Sequence, residues 1–529
     1  MVQVFARRHP VGGRERSPIV RVLPGLVLVM LLGALDQTIM APALPAIAGD
    51  LGGLNHIPVV VTAYLAAATV VMPAYGKLGD RFGRPRVLLV AIGVFMGGAL
   101  LCGIAQSMLA LVIARIIQGA GGGGLMIGAQ AVLGEVVSPR ERGRYLGLLS
   151  GVYVLAAVGG PLLGGFVVDH LSWRWIFAGY LPLCLLAMIM VRRTRGLPVP
   201  QARPPIDYAG AILLTIAVLA VVLLASIAGR VGPSPAWGVP ALIVLGVAAT
   251  AAWLLTARRA PDPILPLRLF RDRSFAIPTA ISFLIGFALF GTVSYLPSYL
   301  QIASGASSTR AGLVVTCLMA GVIITLIISG QLISRTGRYK VFPIMGTALA
   351  TVGLALLATV DPATPMALLL GFLLLIGLGI GLTMQVMMLV AQNGVPRADL
   401  GTATSAVTFL RQIGASAGVA AVGAMITLRF TEGLPPAVVE RLPGGAGGLS
   451  ADHIRALPAD LQAAVAAAYG GAVPPVFGYL APLLGVAFVL ALALPARPLR
   501  DTAYADDPAP ETRPTAARTR PDHGMHKKE

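Results

Sequence analysis

The sequence predicts an all-α polytopic membrane protein with fourteen transmembrane helices. They form two pseudo-symmetric six-helix bundles with two inserted helices between them, and both termini are expected on the cytoplasmic side. Three observations carry this reading. Of 529 residues, 56% are hydrophobic and only 12% are charged, with a mean hydropathy of +0.82; a soluble chain of this length carries about 25% charge. Apolar runs of about 20 residues, enough to cross a hydrocarbon core of about 30 Å, recur along the whole chain. Finally, a nine-residue pattern from the first half returns in the second.

In chain order the spans read 22–41, 57–78, 87–105, 109–136, 146–168, 173–191, 208–228, 238–257, 275–300, 310–333, 341–360, 365–390, 401–427 and 476–495. Arg7, Arg8, Arg14 and Arg16 before the first run resemble a signal peptide. The apolar stretch is too long for that, so a retained first span is expected. An even number of spans puts both termini on one side. Most of the 40 Lys and Arg then fall on the face with the termini, as the positive-inside rule requires of a cytoplasmic face. The net charge of +18 is therefore topological and does not point to nucleic acid. Cys102, Cys184 and Cys317 are scattered through spans and read as packing residues, not a disulfide framework.

The repeat sets the domain organisation. Gly76–Arg84 closes the second span and Gly330–Arg338 the tenth, at an offset of 254 that also carries Gly160 onto Gly414 and Gly164 onto Gly418. The chain then divides into a cytoplasmic tail (1–21), an N-terminal six-helix bundle (22–191), a linker with the two inserted spans (192–274), a C-terminal bundle (275–495) and a polar, Pro-rich cytoplasmic tail expected to be disordered (496–529). The C-terminal bundle holds the longest outside loop, 428–475, in which 459–469 reads as a short helix. Parallel six-span halves around a midplane cavity are a transporter architecture. The repeat is asymmetric, for the offset takes Asp36 to Phe290 and Asp80 to Ser334. The first half is expected to handle protons, and the second to contribute more to substrate.

Four motifs carry chemistry. Asp36 sits in the apolar run Val22–Ala41, where a charge costs about 2.5–3.5 kcal/mol at the bilayer centre. Burial disfavours the charged form of a carboxyl group, so Asp36 is read as a group that takes up and releases a proton. Arg115 in the fourth span, followed by Gln118 and Gly119, cannot be neutralised and needs a partner. Asp36 reads as the one deeply embedded acid, and so as that partner. The neighbouring Gly121–Gly124 reads as close helix packing. Gly76, Gly79, Asp80, Arg81, Gly83 and Arg84 form a tight basic turn in which Asp80 can cap the third span or pair with a basic neighbour. In the fifth span, Gly151, Gly160, Pro161, Gly164 and Gly165 give a bendable helix with a small-residue face.

The Gly76–Arg86 turn resembles the best-known signature of the major facilitator superfamily. The resemblance implies a conformational latch between the halves. Arg115-x-x-Gln118-Gly119 resembles a second signature, and the fifth-span glycines resemble the one that marks antiporters. Leu35–Pro45, Trp173–Phe177 and Phe409–Gly414 are similar to the fourteen-span drug:proton antiporters. That family implies a proton-coupled antiporter exporting amphipathic drugs, antibiotics or dyes across the cell membrane by alternating access, while the excess of Arg over Lys with abundant Ala and Gly points to a bacterial source. A dedicated exporter of one metabolite, lipid precursor or self-made antibiotic is the alternative, and a membrane sensor or enzyme a remote one. Some members that export divalent organic cations carry further acids in the second half. None is embedded here, which leaves monocationic, neutral or zwitterionic substrates. The expected partners are a small-molecule substrate, protons and membrane lipids, with no cofactor beyond the proton motive force, no metal, no nucleic acid, no enzyme activity and a monomeric functional unit. Candidate cavity-wall residues are Tyr64, Tyr153, Tyr295, Tyr299, Gln301, Gln385 and Arg411.

Overall fold

Residues 18–51, 57–192, 207–228, 238–306, 308–361, 363–434 and 458–499 are described by the structure, a computed structural model. Among them lie fourteen long α-helices and no strand: α1 (Pro18–Leu51), α2 (Ile57–Phe82), α3 (Arg84–Gly103), α4 (Met108–Val136), α5 (Pro139–His170), α6 (Arg174–Arg192), α7 (Tyr208–Ala228), α8 (Gly238–Arg259), α9 (Arg273–Ala303), α10 (Ser308–Thr336), α11 (Val341–Leu357), α12 (Met366–Asn393), α13 (Leu400–Gly433) and α14 (Ala459–Leu492). Backbone groups in hydrocarbon must be satisfied within their own segment, which favours helices throughout. Twelve of these helices are long and apolar enough to span a membrane. α11, at 17 residues, is a shorter apolar helix.

One apolar core joins α1 to α8 with the first turns of α13, and a second joins α9 to α12 with α14 and the later turns of α13. α4 is wedged between α2 and α3. A Cβ on Gly121 would stand 2.2 Å from the Phe95 backbone nitrogen, and one on Gly123 would stand 2.2 Å from the Ala68 carbonyl oxygen. The glycine run is therefore a packing surface, as the sequence suggests. Between the halves, α2 packs on α13 and α5 on α10. The inserted α7 touches both α2 and α13, while α8 rests on α7 and is the least buried of the apolar spans.

The loop at 428–475, expected outside, differs from the reading of the sequence. α13 continues to Gly433, and the anticipated short helix at 459–469 and the last span form one helix, α14. It runs through Pro474 and Pro475. Prolines are tolerated inside a spanning helix when neighbours re-satisfy the freed carbonyls. Here Phe430 of α13 and Leu434 just after it pack on Val465 and Ala472 of α14 and hold the extension in place. Residues 435–457 of that loop, and the tails at 1–17 and 500–529, lie outside the described residues.

Candidate functional site

Asp36 projects from α1 into the centre of the first bundle, and both it and Gln118 are fully buried. Arg115 of α4 meets it with Nη1 donating at 2.9 Å to Oδ1 and 2.8 Å to Oδ2. The same nitrogen donates to Gln118 Oε1 at 2.9 Å, and Gln118 Nε2 donates to Asp36 Oδ1 at 3.0 Å. Arg115 and Gln118 are three residues apart on one helix, so they share a face and grip the carboxylate together. The Arg115 guanidinium lies 4.2 Å from the Tyr64 ring centroid. The Tyr64 and Tyr180 hydroxyls lie beside the carboxylate, and the Cys102 thiol donates to Gln118 at 3.3 Å. Five helices thus converge on one acid. Two charges inside hydrocarbon survive only when paired and hydrogen-bonded in this way.

Two residues along α1, on its other side, Thr38 Oγ1 donates 2.9 Å to the Ala156 carbonyl of α5. A Cβ on Gly160 would stand 2.1 Å from Thr38 Oγ1, and one on Gly164 would stand 2.4 Å from the Ile39 carbonyl. These glycines let α5 press on α1 directly beside Asp36. Gly151 and Gly165 have no such neighbour, so the close face is Gly160 and Gly164 alone. Pro161 points outward from the bundle. At its far end α1 is tied to α6 through Asp50, whose carboxyl is held below the ordinary carboxylate range by hydrogen bonds from Arg174 and Trp173.

The Gly76–Arg84 turn grips the other half. Asp80 accepts from the Gly401 amide at 2.8 Å, the Thr402 amide at 2.7 Å and the Thr402 hydroxyl at 2.8 Å. The first-turn amides of α13 are thereby capped by an acid from the opposite bundle, where the helix's own positive end favours it. The sequence left Asp80 either to cap α3 or to pair with a basic neighbour; it pairs with Arg84, and its cap falls on α13. The Gly83 residue preceding α3 instead has φ 92°, and a proline follows at the helix start with no side-chain cap. Proline has no amide hydrogen to satisfy there, so Asp80 is left for α13. Arg84 binds Asp80 at 2.7 Å, the Arg397 carbonyl at 2.6 Å and Glu135 at 3.0 Å. Glu135 in turn accepts from Arg397 at 2.7 Å. Gly76 admits Ser405 where a side chain would clash, at 2.1 Å. Gly79 lies against Arg84, and Arg81 stacks on Phe82 at 5.1 Å.

Asp36 is therefore not the one buried acid. Asp80, Glu135 and Asp399 are buried as well, all at the latch end. Glu135, Arg142, Arg397 and Asp399 were missed because charges at span edges are ordinary. Arg142 is fully buried and donates to the carbonyls of Val137 and Gly134, which end α4. The second half repeats the plan with weaker chemistry. Gly337 has φ 69°, matching Gly83. Gly330 abuts Gly143 of α5, and Arg140 donates to the Ser334 and Arg335 carbonyls. Gly414 and Gly418 press α13 onto α9 at Phe283 and Phe287, as Gly160 and Gly164 press α5 onto α1.

The candidate wall residues do not gather into one surface. Tyr64 belongs to the Asp36 cluster. Tyr295 donates to the Val419 carbonyl at 2.9 Å, and Tyr299 is buried in the second core. Gln385 is buried and Gln301 partly so, and each has a partner. Arg411 likewise has a partner. The Tyr153 side chain lies outside the described residues. Among the described residues no group of His, Cys, Asp and Glu is placed to hold a metal ion.

The comparisons with known proteins agree with this architecture. The family model of the Major Facilitator Superfamily matches residues 26–419. The chain is 35% identical to the multidrug transporter protein MdtP of Bacillus subtilis (strain 168), over 83% of this chain and 81% of that one. It is 31% identical to multidrug resistance protein 3 of the same organism, over 82% and 84%. In fold it is similar to the proton:xylose symporter XylE, with a TM-score of 0.59 at 14% identity, covering 92% of this chain and 98% of that one. It is also similar to FucP in its outward conformation, with a TM-score of 0.53 at 14% identity, covering 90% and 99%. A membrane-embedded transporter with paired helical halves, this chain belongs to the major facilitator superfamily.

Proposed function

We propose that this protein is a proton-coupled antiporter that exports amphipathic small molecules from a bacterial cell, crossing the plasma membrane fourteen times with both termini inside. The observation that carries the reading is the sealed Asp36–Arg115–Gln118 cluster, joined through Thr38 to the Gly160–Gly164 face of α5. Kinship with multidrug transporters at moderate identity supports the export direction. Asp36 is the proton carrier. Its protonation removes the charge that Arg115 holds, while Arg115 keeps Gln118 and the Tyr64 face. α1 then shifts against α5, and α5 carries the change to the docking on α10 at the latch end. In the described state that end is shut, and the sealed cluster takes up its proton when the cycle opens it to the outside. A potential of about 100 mV supplies about 2.3 kcal/mol per charge, and one pH unit adds about 1.4 kcal/mol. For a neutral substrate exchanged for one proton the two terms add and sustain a gradient of roughly several hundredfold; for a monocation the exchange is electroneutral and the pH term alone sustains about tenfold.

The test uses purified protein in sealed vesicles without ATP, loaded with a fluorescent cationic dye. An imposed pH gradient is expected to drive dye movement, and a protonophore is expected to abolish it. Dye movement that ignores the gradient would refute proton coupling. Movement of one native metabolite and no dye would instead favour a dedicated exporter.

A further inference from the structure

The segment joining α8 to α9 forms a cavity with no part in the scheme above. It lies at the latch end, with a volume of about 640 Å³. Arg258 at the end of α8, and Arg268 and Arg271 in the following 3-10 turn, line it together with Asp262. The acid is already engaged, since Lys77 of α2 pairs with Asp262. Arg268 reaches Asp399 at 2.7 Å, just before α13. Arg258 and Arg271 are exposed and make no ion pair among the described residues. The cavity therefore presents an excess of positive charge. It opens at the foot of α8, whose flank carries exposed Val244, Val247 and Leu255 and which is the least buried apolar span. Such a flank lies among acyl chains, and its end lies at headgroup depth.

We propose that this cavity binds the phosphate of an anionic phospholipid from the latch-side leaflet, with Arg258 and Arg271 as its primary ligands. Guanidinium groups suit phosphate oxygens because they donate in pairs, and basic pockets at this depth attract acidic headgroups. The lipid source is favoured over free phosphate because the lipid-facing wall of α8 delivers a headgroup without its leaving the bilayer. The site is also wired to the latch. Lys77 belongs to the Gly76–Arg84 turn, and Asp399 precedes the α13 amides that Asp80 caps. This inference does not depend on proton coupling.

The experiment compares wild type with Arg258→Gln/Arg271→Gln, both full length, in nanodiscs of phosphatidylcholine containing a small share of photoactivatable phosphatidylglycerol. Crosslinks in the wild type are expected to map to the 257–271 segment and to fall at least fivefold in the variant. Inorganic phosphate at millimolar concentration is expected not to compete. Crosslinking spread evenly over the latch-side loops of the wild type would overturn the proposal, and that reading needs no variant. Equal labelling of wild type and a folded variant would overturn it too, as would displacement of the lipid by inorganic phosphate.

Discussion

Asp36→Asn is expected to leave the protein folded and able to bind its substrate but unable to move it against a gradient. The amide keeps the shape of the carboxylate and one acceptor for Arg115, yet it cannot bind and release a proton. Removing one partner of a buried pair costs about 3–5 kcal/mol. Arg115 keeps two compensations, the hydrogen bond to Gln118 and the Tyr64 ring; a desolvated cation–π contact is worth about 2 kcal/mol. The loss of stability is therefore partial, while the loss of coupled export is complete. Asp36→Glu restores an acid on a longer arm and is expected to recover part of the transport. The measurement is dye efflux from vesicles under an imposed pH gradient, with substrate binding recorded on the same preparations. An Asn variant that exports at the wild-type rate would remove Asp36 from the mechanism.

Asp80→Ala is expected to open the latch end. The substitution deletes three hydrogen bonds to the first turn of α13 and the bond to Arg84. Bonds to a charged group are worth about 1.5–3 kcal/mol each. Arg84 keeps Glu135 and the Arg397 carbonyl, so part of the network persists. A net shift of about 3 kcal/mol moves the equilibrium between shut and open by roughly a hundredfold. Spin labels at Arg86 and Ala398, exposed positions on opposite bundles, report that separation. The wild type is expected to show one short distance, and the variant a second, longer population with slowed transport. An unchanged distance distribution in Asp80→Ala would show that the cap does not hold the halves together.

The two sites were legible in the sequence to different depths. Asp36 and Arg115 stand out because each is a lone charge in an apolar run. The repeat predicted that Gly83 and Gly337 occupy equivalent turns, and both have positive φ. Pairing was not legible. Glu135 meets Arg397 across 262 positions, and no local pattern encodes such a meeting. Asp80 was expected to cap α3 or pair with a basic neighbour; the local pair with Arg84 is there, while the bundle brings a different helix end within reach of the cap. α14 was read as a short helix and a separate span; packing from α13 carries one helix through Pro474 and Pro475. The cavity wall was the least legible part. Tyr64 and Tyr299 are polar residues in spans, and burial places each inside one bundle, away from the seam between the two.

The central claim is that one proton leaves Asp36 when substrate is taken up. The direct measurement adds substrate to purified protein in weakly buffered detergent and follows proton release with a pH-sensitive dye. The account predicts release from the wild type that saturates with substrate occupancy, and none from Asp36→Asn at equal occupancy. Equal release from both proteins, or no release from the wild type at any acidity, would contradict it.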